Sequence, residues 1–326
     1  MVKFLIIQTA FIGDVILATP IIEKLHHFYP DSQIDFLLRK GNENLLRNHP
    51  HVDNLIIWNK KQNKTKNMFR VIQRIREKKY DYVMNLQRFA STGIITTFSG
   101  AKLTAGFNKS PFSFAFTRSI KHEIGNGKHE VERNLKLIEE VTDSSFYKPK
   151  LYPTDEDFEI VSQYKMRPYI CIAPTSVWFT KQFPAEKWIE LLKNIKSGYQ
   201  IFLIGGPDDQ EACDRIIEQS GLSNITNLAG QLTFLQTSAL MQNAAMNYVN
   251  DSAPMHMASA MNAKTTAIFC STIPEFGFGP LSDHSKVVET EENLDCRPCG
   301  LHGFKACPKG HFKCAYTIDI SKITNI

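Results

Sequence analysis

The chain contains no uninterrupted apolar stretch near the eighteen or so residues that a bilayer-spanning helix needs, so it does not read as an integral membrane protein. It shows no short-period repeat and no low-complexity tract, which argues against a repeat array. The glycine fingerprint G-x-G-x-x-G is missing after the first apolar run, which counts against a nicotinamide or flavin dehydrogenase. The N-terminal segment is not expected to be an export signal either. The opening MVKFLIIQTAFIGDVILATPII is apolar, but Gln8 and Asp14 interrupt it and no convincing small-residue cleavage site follows, so it reads as mature structure. The expectation is therefore a cytosolic protein, in which thiols stay reduced and the seven cysteines are not a disulfide framework.

What is present is ordinary globular composition: 43% hydrophobic, 22% charged and 11% aromatic residues, too much apolar content for a disordered chain. At 326 residues, two domains are expected rather than one core. Charge is uneven. Residues 1–164 hold 24 Lys/Arg against 18 Asp/Glu, and residues 165–326 hold 14 against 15. Within the first half, residues 60–79 carry nine basic residues and one acid, with Phe69, Ile72 and Ile75 at helical spacing. Such a segment is a solvated helix face beside a core stripe, or a surface for anionic lipid headgroups or a phosphorylated, carboxylated acceptor. Nucleic acid is disfavoured, because no stacking aromatics interleave the cations and no binding motif accompanies them.

KFLIIQ, SQIDFLLR, NLIIW and YDYVMNL are strand candidates in the first half, and YICIAP, QIFLIGG, MNYVND and TTAIFC in the second, with helical patterns between. This alternation predicts α/β layers with parallel sheets. The polar stretch 147–159 is the linker candidate, giving domains 1–157 and 158–326, two doubly wound Rossmann-like domains expected to face one another across a cleft. Ligands of open parallel sheets bind beyond the carboxyl ends of the strands, so the loops there are where chemistry is sought.

Four loops stand out. After the first strand, Thr9 leads to Gly13, which permits unusual backbone, and to Asp14, which is either a helix N-terminal cap or a general base. After YICI, Thr175, Ser176 and Lys181 suit an anionic diphosphate, or form a capped loop with an exposed lysine. After QIFL, Gly205 and Gly206 permit close approach of a ligand, with acids nearby for ribose hydroxyls, or make a simple turn. After MNYV, Asp251, Ser252 and Ala253 stand where a helix begins, with His256 about one turn on, a ready phosphate site.

Taken together, GDVILATPII, PTSVWFTKQFPAEKW, IGGPDD and NDSAPMHMASAM resemble the family 9 glycosyltransferases, the ADP-heptose:lipopolysaccharide heptosyltransferases, and CRPCGLHGFKACPKGHFKC is similar to a segment of heptosyltransferase II members. The resemblance implies a GT-B fold, acceptor binding mainly by the first domain and nucleotide-sugar binding mainly by the second. It implies transfer of heptose, with inversion, from an ADP-heptose donor to the lipopolysaccharide inner core, at the inner face of the cytoplasmic membrane and with no cofactor required. Asp14 would be the base, Thr175, Ser176 and Lys181 would hold the diphosphate, and Asp251, Ser252 and the Ala253 backbone, with His256 beside them, would complete the phosphate site. Two positions depart from the family pattern: Ala253-Pro254 stands where Gly usually follows the Asp-Ser or Asp-Thr pair, and Cys270-Ser271 stands for Gly-Pro. A nucleotide-sugar epimerase or hydrolase, or a non-catalytic nucleotide-sugar or glycan binder, are the competing expectations.

In the tail, Cys296, Cys299, Cys307 and Cys314, with His302 and His311, supply enough ligands for structural zinc, although a paired C-x-x-C…C-x-x-C is absent. Reduced packed thiols are the alternative, or a disulfide if the purified protein oxidises.

Overall fold

The computed structural model describes residues 1–324 and divides into two units, one ending at Tyr152 and one starting at Pro153. The first runs β1 (Lys3–Ile7), α1 (Ile12–Ile16), α2 (Thr19–Phe28), β2 (Gln33–Arg39), β3 (Asn54–Trp58), α3 (Lys64–Lys78), β4 (Tyr82–Asn85), α4 (Ala90–Thr97), β5 (Leu103–Phe107), β6 (Arg118–Ile120) and α5 (Glu130–Leu135). The second runs α6 (Asp155–Ser162), β7 (Tyr169–Ala173), α7 (Ala185–Asn194), β8 (Gln200–Leu203), α8 (Gln210–Ser220), β9 (Ile225–Asn227), α9 (Phe234–Gln242), β10 (Met246–Asn250), α10 (Ala253–Ala260), β11 (Thr265–Phe269), β12 (Ser285–Glu289) and α11 (Lys313–Tyr316).

Each unit holds a six-stranded parallel sheet, in the orders β3-β2-β1-β4-β5-β6 and β12-β11-β10-β7-β8-β9. Read outward from β1 and from β7, the two have the same doubly wound topology, which is the fold class expected from the alternation. The strand order reverses between β1 and β4 in one sheet and between β7 and β10 in the other. Ligand crevices of such sheets form there, because the loops leave these neighbouring strands toward opposite faces.

The strands β1, β2, β4, β7, β8, β10 and β11 are buried along nearly their whole length, whereas β6 and β12 at the sheet edges carry polar, partly exposed residues. Leu5, Ile7, Leu37, Ile56 and Trp58 pack with Val71, Ile72 and Ile75 of α3. In the second unit Ile170, Ile172, Ile201, Leu203 and Ile268 pack with Trp188, Leu191 and Leu192 of α7. Phe312, Cys314, Ala315 and Ile318 join the same core, so the tail is built into the unit. Burying each of these aliphatic side chains contributes about 1.5–3 kcal/mol before conformational entropy is subtracted.

Two expectations change. The acidic triplet read as linker, Asp155–Asp157, is the first turn of α6, so the boundary expected at 157/158 falls inside a helix. Thr154 caps it by accepting from the Asp157 N–H at 3.2 Å, while the Asp157 carboxylate accepts from the Thr154 N–H at 2.9 Å. On α3 the buried stripe is Val71, Ile72 and Ile75, with Met68 packed beside it, whereas Phe69 is 62% exposed. Residue 69 lies about 100° round the helix from residue 68, which carries it off the core face. No helix among the described residues is long and apolar enough to cross a membrane.

Candidate functional site

In the first unit the strand reversal is lined by side chains from the ends of β1 and β4. Gln8 and Gln87 hydrogen-bond through their amides, and the Asn85 side-chain oxygen accepts from the Gln87 N–H at 3.0 Å. This buried pair of loops fixes where β1 delivers Thr9. The Lys60 ammonium donates to the Thr9 hydroxyl at 2.8 Å and to its carbonyl at 3.0 Å, and lies 4.7 Å from the centre of the Trp58 ring. Burial, then Lys64 and Arg39, pull its pKa down to about 8.

Gly13 is the second residue of α1 and has no positive φ, so the unusual backbone expected there is not present. Asp14 is the third residue of α1. Its carboxylate accepts from the Phe11 N–H at 3.1 Å, so it does serve as a cap. It is also out of the ordinary electrostatically: burial and the nearby Glu130 carboxylate raise its pKa to about 6, against the pull of the Phe11 and Asp14 N–H groups and of Arg88. Burial also works against ionisation of Glu130, but His122 and Arg133 more than offset it, and its carboxyl lies below its usual value. Arg133 Nε is 2.6 Å and His122 Nε2 3.3 Å from Glu130. Glu130 thus stays anionic and holds the Asp14 proton on more tightly. Arg39, stacked 4.8 Å from the Phe11 ring, adds a further cation.

In the second unit, Asn250 ends β10 fully buried and ties the reversal together. Its amide donates to the carbonyls of Ala173 at 3.2 Å and Thr175 at 3.3 Å, and its oxygen accepts from the Phe183 N–H at 2.9 Å. The loop between carries Thr175 and Ser176, both partly exposed, and the turn Phe179–Lys181. Lys181 Nζ lies 2.7 Å from Asp251 Oδ2, and that oxygen also accepts from the Thr272 hydroxyl at 2.6 Å. The structure therefore brings Lys181 and Asp251 together as an ion pair, from two of the loops singled out separately in the sequence. Ser252 precedes α10 with extended backbone, and Ala253 opens the helix. Pro254 removes one of the N–H groups that a helix start would offer. His256 is buried in the same helix.

Gly205 and Gly206 serve the protein's own turn. The Asp209 carboxylate accepts from the Gly206 N–H at 2.7 Å, and a Cβ on Gly205 would stand 2.8 Å from the Asp209 Cβ. Cys296, Cys299, Cys307 and Cys314 line one cavity of about 220 Å³ together with Thr180 and His311. All seven cysteines are free. Among the described residues no three Cys, His, Asp or Glu side chains are grouped as ligands of a metal ion.

Arg39, Lys60, Arg88, Glu130, Asn250 and Thr272 were not singled out from the sequence as site residues. For Arg39, Lys60, Arg88, Asn250 and Thr272 the usable signal was position, since each ends a strand or follows one by a few residues.

The glycosyltransferase family 9 (heptosyltransferase) model matches residues 68–301. A lipopolysaccharide heptosyltransferase 3 of Escherichia coli is 30% identical over 281 residues, 80% of this chain and 82% of that protein. The solved E. coli ADP-heptose LPS heptosyltransferase II superposes with a TM-score of 0.76 at 23% identity, over 91% of this chain and 95% of that one. A glycosyl transferase family 9 structure from Veillonella parvula gives 0.79 at 25% identity, over 87% of this chain and 85% of that one. The fold is GT-B, as expected from the sequence motifs. The chain belongs to glycosyltransferase family 9 and is a glycosyltransferase.

Proposed function

We propose that the protein transfers heptose from ADP-heptose to the inner core of lipopolysaccharide with inversion at the anomeric carbon. The observation that carries this reading is Asp14, whose carboxylate caps the helix that follows β1 and has its pKa raised to about 6. A carboxylate of that pKa is ionised at neutral pH yet basic enough to take a proton in the transition state. In the proposed step the acceptor hydroxyl oxygen forms the bond to the anomeric carbon, its proton passes to Asp14, and the bond from that carbon to the diphosphate breaks. The electron pair leaves with ADP.

The added charge on ADP is met by the Lys181 ammonium and by the N–H groups of Ser252 and Ala253 at the start of α10. Thr175 and Ser176 would donate hydroxyls to the same diphosphate. Asp251 is an anion and would not touch phosphate; it holds Lys181 at 2.7 Å. No metal is called for. The cations Lys60, Arg39 and Arg88 would receive an anionic acceptor in the first unit, and the outer face of α3 would rest on anionic lipid at the cytoplasmic face of the membrane. The name of the E. coli relative above supports the substrate class.

The test is ADP release from ADP-heptose in the presence and absence of heptose-deficient lipopolysaccharide. Release that depends on the acceptor, with heptose recovered on it, is expected. Release without acceptor would indicate a hydrolase, and no release under any condition an epimerase or a binding protein.

A further inference from the structure

Every residue of the turn that carries Lys181 is held by the C-terminal tail. The Phe179 ring lies 5.2 Å from that of Phe312. Thr180 donates its N–H to the Phe304 carbonyl at 3.1 Å, and its hydroxyl oxygen accepts from the Phe304 N–H at 2.8 Å and from the Ser271 hydroxyl at 3.0 Å. Gly303 packs against Lys181 itself. A Cβ there would stand 3.1 Å from Lys181 Cγ and 2.8 Å from Thr180 Oγ1, and the φ of +73° also favours glycine.

The tail grips the other partner of Lys181 as well. Arg297 donates to the carbonyls of Cys270 and Thr272, each at 2.8 Å, and pairs with Glu289. A planar guanidinium with this many acceptors fixes the backbone of residues 270–272. Thr272 in turn holds Asp251, and Asp251 holds Lys181. Two routes therefore run from one segment to one ammonium: Gly303 and Phe304 through the turn, and Arg297 through Thr272 and Asp251. Thr180, Ser271, Thr272 and Asp251 are all buried, so little water competes with these bonds.

We infer that the C-terminal tail is a positioning element for Lys181, with Thr180 as the positioning residue through which it acts. This rests on the reading of Lys181 as the ammonium that meets the departing diphosphate. The position of that charge decides how much of the developing negative charge it stabilises, so a shifted turn lowers turnover more than donor binding. The tail adds no group to the chemistry.

The test is steady-state kinetics of Thr180→Val, Thr180→Ser, Lys181→Ala and the Thr180→Val/Lys181→Ala pair, each first checked for a cooperative thermal transition. Valine keeps the shape and deletes the acceptor for Phe304 and Ser271, while serine retains it. We expect Thr180→Val to lower kcat roughly 10- to 100-fold, as an ångström-scale misplacement does. The donor KM should move less than about threefold, and Thr180→Ser should recover most of the loss. On the Lys181→Ala background Thr180→Val should cost nothing further. If Thr180→Val does not fold, Arg297→Lys, which keeps the charge but loses the fork, is read by the same criteria. A folded Thr180→Val with normal kcat, or an equal further loss without Lys181, overturns the positioning role alone. Undiminished transfer by Lys181→Ala overturns the donor-site reading beneath it.

Discussion

The ammonium of Lys60 is bonded to Thr9 twice, at the hydroxyl and at the carbonyl, although the two residues leave strands that are separated by β2 in the sheet. The contact brings a cation from the basic segment to the strand reversal of the first unit. Its pKa, pulled down to about 8 by burial and by Lys64 and Arg39, makes that cation titratable near physiological pH. The charge is present below pH 8 and is lost as pH rises through it. For an anionic acceptor bound there, KM should climb between pH 7 and 9. Lys60→Gln should raise it about tenfold at pH 7, the worth of one charge-assisted hydrogen bond, and remove the pH dependence. Acceptor KM measured across that range decides it. A flat wild-type profile would separate Lys60 from the acceptor.

Asp14→Asn separates catalysis from stability. The amide oxygen can still accept from the Phe11 N–H, so the cap survives, but no proton can be taken, and kcat should fall by about 10²–10⁴. In the wild type kcat should rise with pH around a midpoint near 6. Stability runs the other way. The carboxyl has pKa about 6 when folded against an ordinary 3.8, so between these values the native state binds more protons than the unfolded chain. Raising pH through this window therefore weakens the fold, by roughly 2–3 kcal/mol in all. Asp14→Asn should be more stable than wild type at pH 8 and no more stable at pH 4. Urea unfolding at the two pH values measures this, and a variant destabilised at pH 8 would contradict it.

Asn250 is the purely structural counterpart. Its side chain joins the end of β7, the loop after it and Phe183; the bonds to Ala173 and Phe183 are buried and the one to Thr175 is partly so. Asn250→Ala leaves the Phe183 N–H and two carbonyls short of a partner and opens a small void. We expect a loss of about 3 kcal/mol, seen as a lower urea midpoint with unchanged slope. Thermal shift on adding ADP should also shrink, because the loop bearing Thr175 and Lys181 loses its anchor. An unperturbed midpoint would show that this clamp carries no weight.

Much of this architecture is readable from continuous apolar runs. The strands β1, β2, β4, β7, β8, β10 and β11 are buried on both faces and show as such runs in the sequence, and so does the edge strand β3, which buries only the face of Ile56 and Trp58. The strands β5, β6, β9 and β12 do not, for identifiable reasons. β6 and β9 are three residues long, and β12 carries Ser285, Lys286 and Glu289 at a sheet edge. β5 contains Gly106, which breaks the pattern because the Phe116 ring occupies the place of a Cβ, 2.5 Å away. At the site, the rule of strand carboxyl ends finds Thr9, Asp14, Lys181 and Asp251. It does not find that Arg39 and Arg88 come near Asp14, or that Lys60 comes to Thr9, since sheet order creates that proximity. Nor does it find the tail's hold on Thr180, which spans 124 residues of sequence.

The helix α3 offers a test of membrane attachment that leaves the fold intact. Its core side is Val71, Ile72 and Ile75, while Phe69 projects outward from the same helix as Lys66 and Arg70. An exposed aromatic among cations suits the boundary between acyl chains and anionic headgroups, each cation near such a surface contributing about 1 kcal/mol. Lys66→Glu with Arg70→Glu should abolish sedimentation with vesicles containing phosphatidylglycerol and leave binding to neutral vesicles as weak as before. Phe69→Ser should weaken the first less steeply and make it more sensitive to salt, since only the electrostatic part remains. Neither change touches Val71, Ile72 or Ile75, so the urea midpoint should stay within about 0.5 kcal/mol of wild type. Equal sedimentation of wild type and the double charge reversal would overturn the reading of α3 as a lipid-facing surface.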